Sequence, residues 1–480
     1  MRTEFLINGK WCSSSDTLAV RNPFTATEIA RVPLASPDQI LAALASASAA
    51  QPACTTLPAH KKSQILNKIA ALITSRSAEF RDLIIAEAGK PFSLAELEVQ
   101  RASITFQLAA SAALESETTH LRMDASQPGE NHTAFVRRCP IGPILGITPF
   151  NFPLNLVAHK IAPAIASGCT IIIKPSPRTP LTALLLSEVI HHAGALPGQV
   201  HILPFHHEHV PLILEDPRLR MLSFTGSAEI GWQLKSRAVK QKVTLELGGN
   251  AAVIIEPDTD ISEAASLCAK AAFAYAGQSC ISLQRILVHT HIADAFRKAF
   301  IEATLQCHVG DPTHPSTLIG PMIDPAARAR IVHLIHDALA RGAQLLTPLK
   351  ESGPSTLAPV ILENVPHHAP IWHQEAFAPV AILREYQNFQ EALDITNNST
   401  FGLQTGIFTS SIFKALLAYD QLEVGSVLIN QVPTFRVENM PYGGVKDSGL
   451  GREGIRSAIE EMTVPRTLII RSPEKRSETI

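Results

Sequence analysis

A chain of 480 residues, 46% hydrophobic and 18% charged, exceeds what one ordinary core organises, so two or three globular domains are expected. A net charge of -2 at pH 7 gives no electrostatic case for nucleic acid or an anionic membrane surface as partner. Seven scattered cysteines without a CxxC pair indicate neither a disulfide framework nor a zinc site, so no metal is expected. The start MRTEFLINGKW lacks the apolar core of a signal peptide, and no uninterrupted apolar run reaches about 18 residues, so the expected location is the cytoplasm.

Residues 1–36 read as short strands and turns, with Asn8-Gly9 turning a hairpin. From 37 to 114 the periodicity is helical. Ser36-Pro37-Asp38 opens an Ala-rich helix, a second spans 59–88 and stops at Gly89-Lys90-Pro91, and a third covers 94 to about 114. Residues 115–138 turn polar around Gln127-Pro128-Gly129, between stretches able to pair as a hairpin. Such a ribbon has little core of its own and suits packing on another subunit, hence a homodimer or homotetramer. Between 138 and 250, strands at 144–148, 170–173, 199–203, 221–224 and 243–247 alternate with helices at 157–167, 179–193 and 226–240. That rhythm fits a parallel, helix-covered sheet of the dinucleotide-binding kind. A second series places strands at 251–255, 285–289, 359–363, 379–383, 405–408 and 427–429, with helices at 261–276, 292–306 and 325–341. The economical reading is two α/β domains with a small β appendage.

The stretch Ala276-Gly277-Gln278-Ser279-Cys280-Ile281-Ser282 sets one cysteine among small and polar neighbours, where a substrate has room and backbone N–H groups can meet developing charge. Lys174-Pro175-Ser176 ends an apolar strand, so Lys174 either reaches a ribose or phosphate or is a solvated loop lysine. Phe224-Thr225-Gly226-Ser227-Ala228-Glu229-Ile230-Gly231 is a strand end, a tight turn and a helix start, suited to a pyrophosphate or simply a capped turn. Glu246 in Leu245-Glu246-Leu247-Gly248-Gly249-Asn250 is a lone carboxylate among apolar residues, either a general base or a salt-bridged structural group. Asn151, between Phe150 and Phe152, either donates to an oxyanion or caps a turn. The GxGxxG string at 449–454 lacks a preceding strand and a following βαβ unit, so it reads as an active-site rim or subunit-contact loop. His206-His207-Glu208-His209 has no helical pairing and reads as a solvated loop.

In order and spacing, PFNFP, IIIKPS, FTGSAEIG, LELGGN, GQSCIS, the Glu375-Ala376-Phe377 segment and MPYGGVKDSGLGREG resemble the aldehyde dehydrogenase superfamily along essentially the whole chain. Glu246 followed 34 residues later by Cys280 is the most specific pairing. The resemblance implies a Rossmann-like cofactor domain from 1–117 and 139–247, a catalytic α/β domain at 248–447, and a β-ribbon oligomerisation element from 118–138 and 463–480. It implies Cys280 as nucleophile, Glu246 as base, and Asn151 with the Cys280 N–H as oxyanion hole. It implies NAD or NADP held by Lys174, Ser176, Pro177, Gly226, Ser227, Gly231, Leu247, Glu375 and Phe377. The activity implied is oxidation of an aldehyde to an acid. A CoA-acylating dehydrogenase and a non-redox thiol hydrolase are the alternatives.

Two departures from the family pattern and one arginine bear on cofactor and substrate. Ala378 replaces a common Gly, a mild change. Pro177 stands where many NAD-preferring members carry a Glu that repels a 2′-phosphate, and Arg178 is adjacent, so NADP use is plausible. Arg436 before the MPYGG loop, with Arg101 on the third helix and Phe150 and Ser279 nearby, suggests an anionic aldehyde of the semialdehyde or phosphonoacetaldehyde type. Ser279, where some phosphate-aldehyde members have Arg, weakens the phosphate version.

Overall fold

The computed structural model describes residues 2–115 and 118–472. Residues 116–117 and 473–480, including the end of the tail assigned above to the ribbon, lie outside them. The first hairpin pairs Phe5–Ile7 with Lys10–Cys12. Its turn needs two left-handed residues, and Asn8 (φ 49°) and Gly9 (φ 75°) supply them. Ser36 caps the helix Pro37–Thr56 through a reciprocal capping box with Gln39. The expected helix over 59–88 is two helices, Ala59–Ser75 and Ser77–Ala88, broken at Arg76 (φ -107°, ψ 22°). Neither Pro nor Gly marks that break, so the local pattern does not disclose it. Gly89, left-handed at φ 63°, ends the second helix. The helix expected from 94 to about 114 is Phe92–Ala112, the fourth in the structure.

Two sheets carry the molecule. The first has six strands, in the order Gly449–Leu450, Lys242–Glu246, Met221–Thr225, Ile144–Ile147, Ile171–Lys174, Val200–Ile202. All pair in parallel except Gly449–Leu450, which adds antiparallel to Lys242–Glu246. From Ile144–Ile147 the chain winds outward one way, then returns to the other side, so a switch-point crevice opens beside Met221–Thr225, where ligands of such sheets bind. The helix Asn155–Ser167 is buried along its whole length, and its core is continuous with the N-terminal helices.

The second sheet has seven strands, ordered Gln344–Leu345, Val360–Glu363, Val380–Tyr386, Leu283–His289, Ala251–Ile255, Gln404–Phe408, Ser426–Ile429. Its core is separate. The helix expected over 261–276 ends at Phe273, capped at its start by Asp260. Among the helices beyond the expected set, Phe389–Asn397 and Ile412–Gln421 start at side-chain caps from Asn388 and Ser411.

A three-stranded antiparallel ribbon stands apart, with His132–Pro140 between Thr118–Arg122 and Thr463–Arg471. No single helix among the described residues is long and apolar enough to cross a membrane.

Candidate active site

The strand Lys242–Glu246 ends at the carboxyl edge of the first sheet, and four residues later Ala251–Ile255 begins at the amino edge of the second. The two edges therefore face each other, and Glu246 sits at the junction. The chain gets through only because Gly248 and Gly249 have no side chains. A Cβ on Gly248 would stand 2.7 Å from Glu375 Oε2, and one on Gly249 would stand 2.3 Å from the Cys280 carbonyl oxygen. Gly249→Ala must therefore displace the cysteine loop. A displacement near 1 Å costs about 10²-fold in rate, so kcat is expected to fall by that order. Gly310→Ala, whose nearest neighbour would be 3.5 Å away, is the control. Steady-state rates of the two variants check this.

After Phe273 the backbone leaves the helix through three consecutive left-handed residues: Tyr275 (φ 54°), Ala276 (φ 54°) and Gly277 (φ 67°). Two of them carry a Cβ, a strained arrangement that persists only where surroundings enforce it. Here Tyr275 N–H donates to the Leu318 carbonyl at 2.9 Å, and its hydroxyl donates to the Ala88 carbonyl at 3.2 Å. The Gln278 side chain donates to the Tyr275 and Pro321 carbonyls and accepts from Ile323 N–H. A Cβ on Gly277 would lie 2.1 Å from the Ala378 carbonyl oxygen, so no other residue fits. The turn delivers Cys280 into a cavity of about 650 Å³ just before the strand Leu283–His289.

That cavity collects most of the expected residues. Cys280, Glu246 and Asn151 line it, together with Gly226, Ser227 and Leu247 from the first sheet. Glu375 and Phe377 enter from the second domain, and Phe150, Ser279, Arg101 and Arg436 complete its wall. Phe150 meets Phe377 edge to face at 5.8 Å between ring centroids. Asn151 Nδ2 donates to the Gln278 carbonyl at 3.0 Å, and its buried Oδ1 has no partner among the described residues.

Four expected cofactor residues lie outside this wall. Gly231 backs it: a Cβ there would stand 2.3 Å from Leu247 Cδ2, so the glycine lets the helix Ala228–Arg237 seat against the sheet. Lys174 is buried at a strand end with Nζ 5.5 Å from the centre of the Phe205 ring, and burial lowers its pKa to about 8. Ser176 Oγ accepts from Arg178 N–H at 3.2 Å, and Pro177 lies between them. The exposed Arg178 pairs with Asp324 at 2.6 Å.

Electrostatics divides the site into two neighbouring arrays. Burial and the nearby Glu453 charge push Glu246 up to about 7, and its Oε1 is buried without a partner among the described residues. Burial and Glu246 also raise Cys280, while Tyr442, whose hydroxyl is 3.1 Å from Sγ, and Arg436 act the other way. Glu453 is held down at about 2, against the pull of burial, by Lys160 at 3.1 Å and Arg436 at 3.2 Å. In the second array, Glu438 joins Arg101 and His159 and is held low by them against burial. Both expected substrate arginines thus have carboxylate partners. Burial raises Glu375 to about 7 although Gly249 N–H donates to it at 3.0 Å.

Tyr442, Glu453, Lys160, Glu438 and His159 were not among the expected site residues. One signal existed for His159 and Lys160, the two polar residues inside the otherwise apolar stretch 156–166. Glu453 lies inside the discounted glycine-rich string, which extends the first sheet and carries that carboxylate inward.

Two mainly parallel sheets meeting edge to edge, with a switch-point crevice opening onto a thiol and a buried carboxylate, describe a nucleotide-dependent α/β enzyme. Residues 11–468 match the aldehyde dehydrogenase family, and the chain belongs to that family. It is 37% identical over 465 residues to the 3-sulfolactaldehyde dehydrogenase of Priestia aryabhattai, covering 97% of each chain. It is also 37% identical to the lactaldehyde dehydrogenase of Methanococcus vannielii, covering 97% of this chain and 99% of that one. The solved glyceraldehyde-3-phosphate dehydrogenase of Methanocaldococcus jannaschii, complexed with NADP, superposes with a TM-score of 0.91 at 36% identity over 96% of this chain and all of that one. The protein is an oxidoreductase acting on small aldehydes with NAD or NADP.

Proposed function

We propose that this enzyme oxidises a short anionic aldehyde to its acid by covalent catalysis at Cys280, with hydrolysis driven by Glu246. The observation that carries the reading is the pair itself, a thiol and a carboxylate near pKa 7 in one cavity. Glu246 is matched to accept a proton near neutrality, first from the thiol and then from water. The thiolate attacks the aldehyde carbon, and the resulting oxyanion is met by the second Asn151 N–H and the Cys280 backbone N–H. The dinucleotide fits here: the side-chain-free turn at Gly226 opens into the cavity, Gly231 seats the helix behind it, and Glu375 and Phe377 face it from the other domain. When bound, the nicotinamide supplies the hydride acceptor that converts the Cys280 thiohemiacetal to a thioester. Glu246, with its unpartnered Oε1, then activates the water that releases the acid.

Anionic substrate is favoured by charge. Arg101, Arg436 and Lys160 pair with Glu438 and Glu453, and whenever Glu246 holds a proton these three cations exceed the two carboxylates by one. Two of the relatives above act on a sulfonated and a phosphorylated aldehyde by name. A neutral hydroxyaldehyde is the second reading, favoured by the engagement of both arginines and by the lactaldehyde relative. A panel of carboxylated, sulfonated, phosphorylated and neutral aldehydes, with and without CoA, separates these readings. Arg101→Met is expected to raise KM for anionic aldehydes about tenfold and leave neutral ones unchanged, as loss of a partly exposed charge contact would. Equal effects on both classes would sink the anionic reading.

NADP is the proposed preference, because no carboxylate stands at Pro177 to repel a 2′-phosphate. Pro177→Glu is expected to lower kcat/KM for NADP relative to NAD by about tenfold through like-charge repulsion; an unchanged ratio would remove Pro177 from the argument. Assembly into a homodimer or homotetramer is supported by exposed apolar residues, Leu468, Ile469 and Ile470 on the two sides of the outer ribbon strand and Ile412, Phe413, Leu416 and Tyr419 on one helix. Seven unpaired cysteines suit a reducing cytoplasm.

A further inference from the structure

We propose that Tyr442 is a catalytic group: its hydroxyl donates a hydrogen bond to the Cys280 sulfur in the thiolate state, and Arg436, stacked on the tyrosine ring, holds and polarises that donor. The proposal rests on Cys280 being the nucleophile. In the resting thiol either atom of the 3.1 Å contact can donate. Once the thiol proton has passed to Glu246, breaking S–H and forming O–H, only the phenol has a hydrogen to give. The sulfur then carries the negative charge, and hydrogen bonds to charged acceptors are the strong ones.

The surroundings leave this task to few groups. Ionised Glu246 opposes formation of the thiolate, and burial opposes it as well. The Arg436 guanidinium carbon lies 3.7 Å from the Tyr442 ring centre, and its Nη2 is 3.2 Å from Glu453. A cation on that face draws electron density from the ring and makes the O–H a better donor. The arrangement is rigid. Tyr442 is 1% exposed, and its backbone exchanges two hydrogen bonds with Glu453, at 3.0 and 2.6 Å, so the donor and the anchor of its cation share one bridge. Burial and the neighbouring Cys280 and Glu246 keep the phenol protonated, as a donor must be. When the thiolate attacks, the S–C bond forms and the carbonyl π pair moves to oxygen. The sulfur loses its charge, and the hydrogen bond weakens with it.

The test is the rate of iodoacetamide alkylation of the full-length protein at neutral pH, without aldehyde or cofactor, with Cys280→Ser subtracted as background. Tyr442→Phe keeps the ring and its stacking and removes only the hydroxyl. Alkylation of Cys280 is expected to slow by roughly tenfold to a hundredfold, the range for a hydrogen bond to a charged group. A wild-type rate in folded Tyr442→Phe overturns the proposal. Should that variant not fold, the Arg436 pair decides: loss of rate in Arg436→Gln with recovery in Arg436→Lys supports it, and a wild-type rate in Arg436→Gln overturns it. If wild type itself shows no alkylation above the Cys280→Ser background, the nucleophile reading fails instead.

Discussion

Cys280→Ser is expected to lower aldehyde-dependent reduction of NADP by roughly 10⁴-fold or more, the scale of losing a covalent nucleophile. The substitution isolates chemistry from structure. Serine is slightly smaller, and its hydroxyl can keep the contact with the Tyr442 hydroxyl at the position Sγ now occupies. The left-handed turn that delivers the residue is held by Tyr275 and Gln278, not by the thiol. Melting temperature should therefore stay near that of wild type while turnover disappears. The reason is basicity: a carboxylate with a pKa of about 7 is a fair base for a thiol and a poor one for an alcohol. Pre-steady-state reduction of cofactor in the folded variant checks this. A residual rate above a few per cent of wild type would mean that Cys280 is not the nucleophile.

Glu246→Gln is expected to slow turnover by roughly 10²–10⁴-fold, the usual contribution of a general base, while a slower burst of one reduced cofactor per active site survives because the Cys280 proton can still pass to solvent. The amide cannot take a proton from water, so acyl-enzyme accumulates. A variant with no burst at any time would show that the Cys280 proton leaves only through Glu246, contradicting the expectation of a slow acylation without it. In wild type, kcat limited by deacylation should rise with pH through about 7 as Glu246 ionises, and the Gln variant should lose that limb.

Stability follows with the opposite sign from the common carboxylate. Glu246 is raised on folding from 4.5 to about 7, so between those values the unfolded chain ionises first and folding stability falls as pH rises. The neutral Gln variant escapes that penalty and is expected to melt no lower than wild type at neutral pH. Thermal melts across the range test it.

Local structure was readable wherever the signal is local. The Asn8-Gly9 hairpin, the helix start at Ser36 and the helix stop at Gly89 each follow from the conformational limits of two or three residues. The alternation of apolar strands with helices located both sheets. Three features were not readable. The break at Arg76 interrupts a continuous helical pattern with no breaker residue, so only packing places it there. The left-handed run at Tyr275 and Ala276 runs against the preference of both residues and exists because Leu318, Ala88 and Pro321 hold it. The helix Ile412–Gln421 exposes an apolar face, so its pattern does not divide into a core side and a solvent side.

By itself, the amino-acid sequence determined which chemical groups exist and at which strand ends they sit: the thiol after a small-residue loop, the carboxylate before two glycines, the glycine turn after an apolar strand. These are properties of neighbours in the chain. Tertiary structure alone decided what each group faces. Arg101 is matched to Glu438 across 337 positions, Lys160 to Glu453 across 293, and Cys280 to the Tyr442 hydroxyl across 162. Such pairings depend on how two sheets meet edge to edge, and no local preference encodes that meeting. It is also where the charges of the site are set, because the field at a buried group comes from what surrounds it in space.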